Sequence, residues 1–180
     1  TLESVNAQTF AGVEQIVVCS PDKDLAQLVS GDEIVCWDRR REIVYNDAAV
    51  FEKFGVRPAS IPDYLALVGD AADGYPGIPG WGAKSAATVL ARFEHLEAIP
   101  KDAAQLGLGA ARGQRLSDTL QAQMTDALLF RRLSTLRHDV PLRETLSDLE
   151  WRGARPELKQ ICQQLGEKTL PDRITRWRAE

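Results

Sequence analysis

Residues 68–90 read VGDAADGYPGIPGWGAKSAATVL. Two aspartates three apart, Asp70 and Asp73, stand near its start, five glycines and two prolines punctuate it, and a run of small residues carrying one cation, Lys84, closes it. Glycine and proline at this density interrupt any regular element, so the stretch is a junction. Upstream, short apolar runs rich in β-branched residues dominate; downstream, apolar residues recur at helical spacing. The change of period predicts an α/β part over residues 1–76 and a helical part over residues 77–180.

The same junction divides the charge. Residues 1–76 carry 6 Lys/Arg against 13 Asp/Glu, and residues 77–180 carry 16 against 13, although the whole chain is only −4. An acidic half next to a basic half points to a division of labour that the average conceals. With 180 residues and 44% hydrophobic content, the chain is long enough to bury a core. Cys19, Cys36 and Cys162 lack CxxC spacing and sit among apolar residues, so they read as reduced core thiols of a cytosolic protein. With two histidines, His95 and His138, neither at ligand spacing from a cysteine, a zinc site has no donor set. No run of about 18 apolar residues exists, so no membrane span is expected. Residue 1 is Thr and no signal-peptide pattern follows it, so the chain is expected to begin inside a longer protein.

Working outward from the junction, VEQIVVCS (residues 13–20) reads as a buried strand of the parallel kind. EIVCWD and EIVYND, separated by Arg39, Arg40 and Arg41, read as a hairpin with a solvated basic tip. DAAVFEKFG predicts a helix begun near Asn46 or Asp47 and stopped by Gly55. In PASIPDYLALVGD, Ser60 is the expected N-cap and Pro62 lies in the first turn. Downstream, AKSAATVLARF is helical, and residues 110–136 read as one long helix with Leu116, Leu120, Met124 and Leu128 recurring every four residues. ARPELKQICQQLG predicts a helix with Leu158, Ile161, Cys162 and Leu165 on one face, and a last short helix ends at Trp177.

The chemistry is carried by carboxylates. Asp22 and Asp24 follow the first strand immediately, at the carboxyl edge where open α/β sheets place ligands, although an aspartate there also serves as an ordinary helix cap. If the helix preceding Gly69 continues through Asp70 and Asp73, their side chains share one face and repel. Taken together, the four aspartates make a hard-oxygen site suited to Mg²⁺ or Mn²⁺. The glycine turn supplies the complementary charge. Gly80 and Gly82 flank Trp81 just before a helix, so turn and helix N–H groups point outward as an anion site, with Lys84 and Ser85 in the first turn placed to hold a phosphate. A plain helical turn would use the same glycines, but Lys84 at a helix N-terminus opposes the dipole unless an anion accompanies it. Trp81 reads as a packing anchor, His95 and His138 as surface residues, and Arg131 and Arg132, like the Arg39 to Arg41 cluster, as either solvated or in contact with phosphate. The pattern is neither a Walker A loop nor a dinucleotide fingerprint.

The order of these features closely resembles the 5′-nuclease domain of bacterial DNA polymerase I and the flap endonuclease superfamily. The resemblance rests on SPDKDLAQL, DYLALVGDAADGYPG, IPGWGAKSAATVL and ALLFRRLSTLRHDVPL, and runs from about Val13 to the C-terminus. It implies the C-terminal half of a PIN-like (resolvase-like) parallel-sheet domain, followed by a helix–three-turn–helix element gripping the DNA backbone. It also implies that Asp22, Asp24, Asp70 and Asp73 serve one metal of a two-metal centre, that Gly80, Gly82, Lys84 and Ser85 bind DNA phosphate, and that a K⁺ ion sits on the Gly77–Gly82 turn. The family pattern GDxSDNIPG is altered here by Ala72, Gly74 and Tyr75, while both aspartates are kept. The upstream strand, helical arch and acidic cluster that family members use for the first metal do not precede Thr1 in this sequence. The expectation is therefore a parent 5′-3′ exonuclease or 5′-flap endonuclease acting on DNA 5′ ends. This chain is expected to be nearly inactive alone, monomeric, in the bacterial cytoplasm with the nucleoid, fused to a polymerase or paired with upstream residues. The alternatives are a non-catalytic module binding the DNA backbone and, third, a protein–protein scaffold.

Overall fold

Ile16–Val18 form strand β1, a β-branched run paired in parallel with β2 (Ile34–Asp38) from Ile16↔Ile34 to Val18↔Cys36. Strand β3 (Ile43–Tyr45) pairs antiparallel with β2, completing a sheet of order β1-β2-β3. The hairpin is closed by Asp38, whose buried carboxylate accepts the Arg40 and Arg41 backbone N–H groups at 3.0 and 3.1 Å. The basic tip is indeed exposed, with the Arg39 guanidinium 5.4 Å from the Trp37 ring centroid. Between β1 and β2 the chain makes a 3₁₀ turn, Asp24–Leu28, that carries the second expected carboxylate. The computed structural model describes residues 13–178, and contacts divide the chain into two compact units after Val140.

In the first unit, helix α1 (Asp47–Phe54) starts where expected: Asn46 accepts the Ala49 N–H at 3.0 Å, and Gly55 ends it in the left-handed region. A 3₁₀ turn, Pro58–Ser60, runs directly into α2 (Ile61–Val68), so Ser60 is helical and caps nothing with its side chain. Every residue of α2 from Ile61 to Leu67 is buried, as befits a helix that is apolar on most sides. It packs against α3 (Ala83–Phe93) and α5 (Met124–Ser134), and its contacts reach back to the Asp24–Leu28 turn. One core thus joins the sheet side to the helical side, and the boundary expected between residues 76 and 77 falls inside this unit.

Two helical expectations are corrected. The long helix over residues 110–136 is two, α4 (Ala110–Ala122) and α5, broken at Gln123, whose φ of −119° and ψ of 26° lie outside the helical region. The break re-phases the apolar stripe: Leu116 and Leu120 are buried, whereas Leu128 is exposed and Ala127 and Ser134 turn inward instead. Periodicity counted across a hidden break assigns the wrong face.

The second unit contains a 3₁₀ turn (Leu146–Leu149), α6 (Leu158–Leu165) and α7 (Leu170–Arg173). The last helix ends at Arg173 rather than Trp177, because Trp177 instead forms a bridge with Ala154, sealed by Ala154 N–H to Arg176 O and Arg178 N–H to Ala154 O. On α6 only Cys162 is buried, while Ile161 and Leu165 are exposed within a unit of some 40 residues that has little core of its own.

Candidate metal centre and anion-binding turn

Helix α2 ends at Val68, so Asp70 and Asp73 are not the helical pair the spacing predicts. They lie in a turn that Asp70 and Tyr75 close by exchanging backbone hydrogen bonds of 3.0 and 3.2 Å. The reason is steric. Gly69 adopts φ +84°, and a Cβ there would sit 2.5 Å from the Pro76 carbonyl; a Cβ on Gly77 would sit 2.4 Å from the Gly69 nitrogen. Only a glycine pair allows the two backbone segments to touch this closely, and that contact folds the aspartate turn back over the end of α2. The Ile78 N–H then bonds Leu67 O at 2.9 Å, locking the turn to the helix.

This folding brings together carboxylates from two separate loops. Asp24, Asp70 and Asp73 each offer an oxygen within 4.8 Å of the others. That spread suits oxygens arranged around one ion with metal–oxygen distances of about 2.0–2.6 Å. Asp22 stays outside this trio: it is exposed and its Oδ1 accepts the Asp24 N–H at 3.2 Å, shaping the loop that presents Asp24. Asp70 is buried, with Oδ1 accepting the Ala72 N–H at 3.0 Å and Oδ2 paired with Lys23 Nζ at 2.5 Å. Burial works against its ionised form, but the Lys23 and Ala72 hydrogen bonds outweigh it and hold the carboxyl below the usual range.

Asp24 is the opposite case. Burial first, then the charges of Asp22, Asp73 and Asp70, push it up to about 6, and Lys23 offsets only part of this. Its Oδ1 is buried without a hydrogen-bond partner among the described residues. The Tyr75 hydroxyl is likewise buried without a well-formed hydrogen bond among the described residues; burial and then the Asp24 charge raise it to about 12, against a weaker pull from the Ser134 side chain. Orphaned buried oxygens are rare in folded proteins and mark a missing partner. A divalent cation fits this donor set: three hard oxygens, one without a partner, and excess negative charge.

Three contributors escape a reading by motif. Lys23 was visible only as a charge between Asp22 and Asp24. Gln27 ties the Asp24 turn down, donating to Asp24 O (2.7 Å) and Ser134 O (2.8 Å) and accepting the Leu136 N–H (3.0 Å). Tyr75 stacks on Phe130 of α5 with centroids 5.6 Å apart. Each acts across a large sequence separation, which spacing does not encode.

At the glycine turn, Trp81 is the packing anchor its composition predicts: it is buried and its Nε1 donates to Leu116 O at 3.1 Å. Gly80 has φ +85°, and Gly82 precedes α3, so the helix has no side-chain cap on its first N–H groups. Ser85 is buried, with its hydroxyl donating to Gly82 O and accepting the Gly82 N–H at 3.0 and 3.1 Å. Its place is therefore inside the turn. Lys84 is exposed beside it. His95, exposed as expected, and Arg131, which is half-buried, converge on a buried carboxylate. Asp63 accepts from Arg131 Nη1 (3.0 Å) and the Leu96 N–H (3.0 Å), and pairs with His95 Nδ1 (3.0 Å). Arg131 also grips Glu97 through both guanidinium ends, at 2.6 and 2.5 Å, and holds that carboxyl down to about 2.

Residues 56–157 match the family model described as 5′-3′ exonuclease, C-terminal SAM fold. The chain is 36% identical over 164 residues to a 5′-3′ exonuclease of Aquifex aeolicus, covering 87% of this chain and 56% of that protein. It is 32% identical over 164 residues to DNA polymerase I of Bacillus subtilis, covering 89% of this chain and 18% of that protein. The chain thus spans under a fifth of the polymerase and about half of the shorter exonuclease. Among solved structures, a mutant of the T5 5′-exonuclease matches with TM-score 0.52 and 25% identity over 67% of this chain and 46% of that one. The T5 5′-exonuclease with bound zinc shares the fold at TM-score 0.54 and 20% identity, over 67% of this chain and 44% of that one. The α/β arrangement of a small sheet with helices, and the match over more than half its residues, place this chain in the 5′-3′ exonuclease family.

Proposed function

We propose that this chain is the part of a 5′-nuclease that holds a catalytic divalent cation, Mg²⁺ or Mn²⁺, and grips the backbone of DNA at 5′ ends or flaps. The observation that carries this reading is the convergence of Asp24, Asp70 and Asp73 from two loops, with an unpartnered oxygen on Asp24. The stretch that carries Asp70 and Asp73 runs directly into the uncapped α3 N-terminus beside Lys84. A divalent ion in such a site supplies Lewis-acid stabilisation and an activated water for phosphodiester hydrolysis.

The chain's own residues do the rest. Asp24, Asp70 and Asp73 fix the position at which the scissile phosphate is met, and Asp22 orients the Asp24 backbone. The Gly80–Gly82 turn, the first N–H groups of α3 and the Lys84 ammonium receive a second phosphate, while Ser85 holds the turn's shape from within. The turn and α3 act as the helix–three-turn–helix element of this proposal, which contacts backbone rather than base edges and makes the nuclease selective for DNA structure over sequence. The functional division at residues 76–77 is part of this proposal: carboxylates before it, phosphate grip after it. Among the described residues one such carboxylate group is present, enough for one ion.

The test uses the longer natural protein. Asp73→Asn is expected to reduce cleavage of 5′-flap DNA by at least about a hundredfold while leaving DNA affinity within about twofold. Equal loss of both sinks the metal assignment. The competing reading, a backbone-binding module without chemistry, would be supported by full DNA binding and no cleavage with Mn²⁺ in the unmutated protein.

A further inference from the structure

Among the described residues, Lys23 is the one ammonium group seated on the carboxylate trio, and its geometry resembles that of a cation in occupancy. Its Nζ lies 2.5 Å from Asp70 Oδ2, on a carboxylate whose other oxygen is already committed to the Ala72 N–H. The two partners differ sharply in exposure. The Asp70 side chain is 3% exposed and cannot turn to water, whereas the Lys23 side chain is 43% exposed and reaches solvent by rotating its flexible stem. Asp24 and Asp73 place oxygens within 4.8 Å of the same group. An ion held by this trio would sit about 2.0–2.6 Å from its oxygens. The ammonium and the ion would then stand only about 4 Å apart, where like charges repel strongly in a partly buried site.

We infer that Lys23 is a resident counter-ion which neutralises Asp70 while the metal site is empty and which an incoming divalent cation must displace. The inference rests on the metal-centre reading above and adds to it how the site is regulated. Displacement has two consequences. The chain tolerates the metal-free state without an uncompensated buried carboxylate, since breaking a buried pair is otherwise costly. Apparent metal affinity is also reduced by the fraction of chains in which Lys23 holds Asp70, so the site loads only when metal is abundant.

The test is a calorimetric titration of Mn²⁺ into the full chain and its Lys23→Met, Lys23→Gln and Asp73→Asn variants, with melting followed with and without the metal. Lys23→Met and Lys23→Gln are expected to bind Mn²⁺ at least about fivefold tighter than the unmutated chain, to melt lower without metal, and to recover with it. A purely structural pair would lower melting equally in both conditions with affinity unchanged or weaker, and that result overturns the inference. In the unmutated chain, titration with Mg²⁺ is expected to release the Lys23 ammonium resonance to solvent exchange, a readout that no variant's folding affects. A signal unmoved at saturating Mg²⁺ overturns the inference as well. Binding by the unmutated chain that Asp73→Asn abolishes, with no gain from either Lys23 variant, refutes the displacement alone. No Mn²⁺ binding by any of the chains refutes the metal centre and the displacement with it.

Discussion

Helix α2 separates two carboxylate sites of opposite character. In its first turn, Asp63 is buried and accepts hydrogen bonds from Arg131 and Leu96 beside His95, so the charge is fully answered by the protein. Past its last turn, Asp70 joins Asp24 and Asp73 in a trio answered, among the described residues, by one lysine, with an Asp24 oxygen left unpartnered. The same helix and the same residue type thus give one site that is closed and one that is open. The difference teaches how to tell a structural carboxylate from a candidate ligand: not by burial, which Asp63 and Asp70 share, but by whether the hydrogen-bond inventory of the whole group closes.

The comparison can be broken at its closed end first. Asp63→Ala is expected to destabilise the chain by about 3 kcal/mol in urea unfolding, because the buried Leu96 N–H loses its acceptor and the Arg131 guanidinium loses the buried one of its two carboxylate partners. A cost near zero would mean that Asp63 is not the structural member of the pair. At the open end, Asp24→Asn is expected to stabilise the metal-free chain by about 1 kcal/mol at pH 7 after allowing for solvent screening.

The signs of the pH dependence separate the two sites further. Asp24 is raised from 3.8 to about 6 in the folded chain. The folded state therefore holds its proton when the unfolded state has lost it, and the stability linked to that proton is lost as pH rises through this window. The gain from Asp24→Asn should accordingly grow between about pH 4 and 6. Glu97, lowered from 4.5 to about 2 by Arg131, has the opposite sign: its contribution is present above 4.5 and lost as pH falls towards 2. The deficit of Glu97→Gln should shrink over that range. Melting curves of both variants against the unmutated chain check this, and parallel pH profiles would remove the distinction. The smallest effect is expected for Tyr75→Phe, which removes a buried hydroxyl without a well-formed hydrogen bond among the described residues and should change stability by less than about 1 kcal/mol, in the stabilising direction. A clear loss would show that the hydroxyl is satisfied.

Much of this architecture was legible in residue order. The β-branched run before SPDKD, the hairpin around Arg39 to Arg41, the Asn46 cap and the Gly55 stop are local decisions, made by backbone preference and short-range hydrogen bonds. Trp81 was legible as an anchor because a large aromatic side chain between glycines has little use except burial. The break at Gln123 was not legible, since neither glycine nor proline marks it and the apolar stripe runs through it. The shared role of His95 and Arg131 was not legible: His95 is exposed as expected, but both answer Asp63, which lies 32 and 68 positions away.

The sequence by itself determined the inventory: aspartates in pairs beside glycine-rich turns, a charge reversal across residues 76–77, and a single lysine opening α3. Tertiary structure decided the selection. Asp24 joins Asp70 and Asp73 only because Gly69 and Gly77 let two backbone segments touch and because Gln27 ties the 3₁₀ turn to the end of α5. Asp22, chemically identical and two residues from Asp24, is left outside the trio, and Lys23 between them is turned onto Asp70. Spacing along a chain fixes which groups are neighbours in one loop. Which oxygens from different loops converge on one point is fixed by backbone contact and core packing, neither of which a local pattern records.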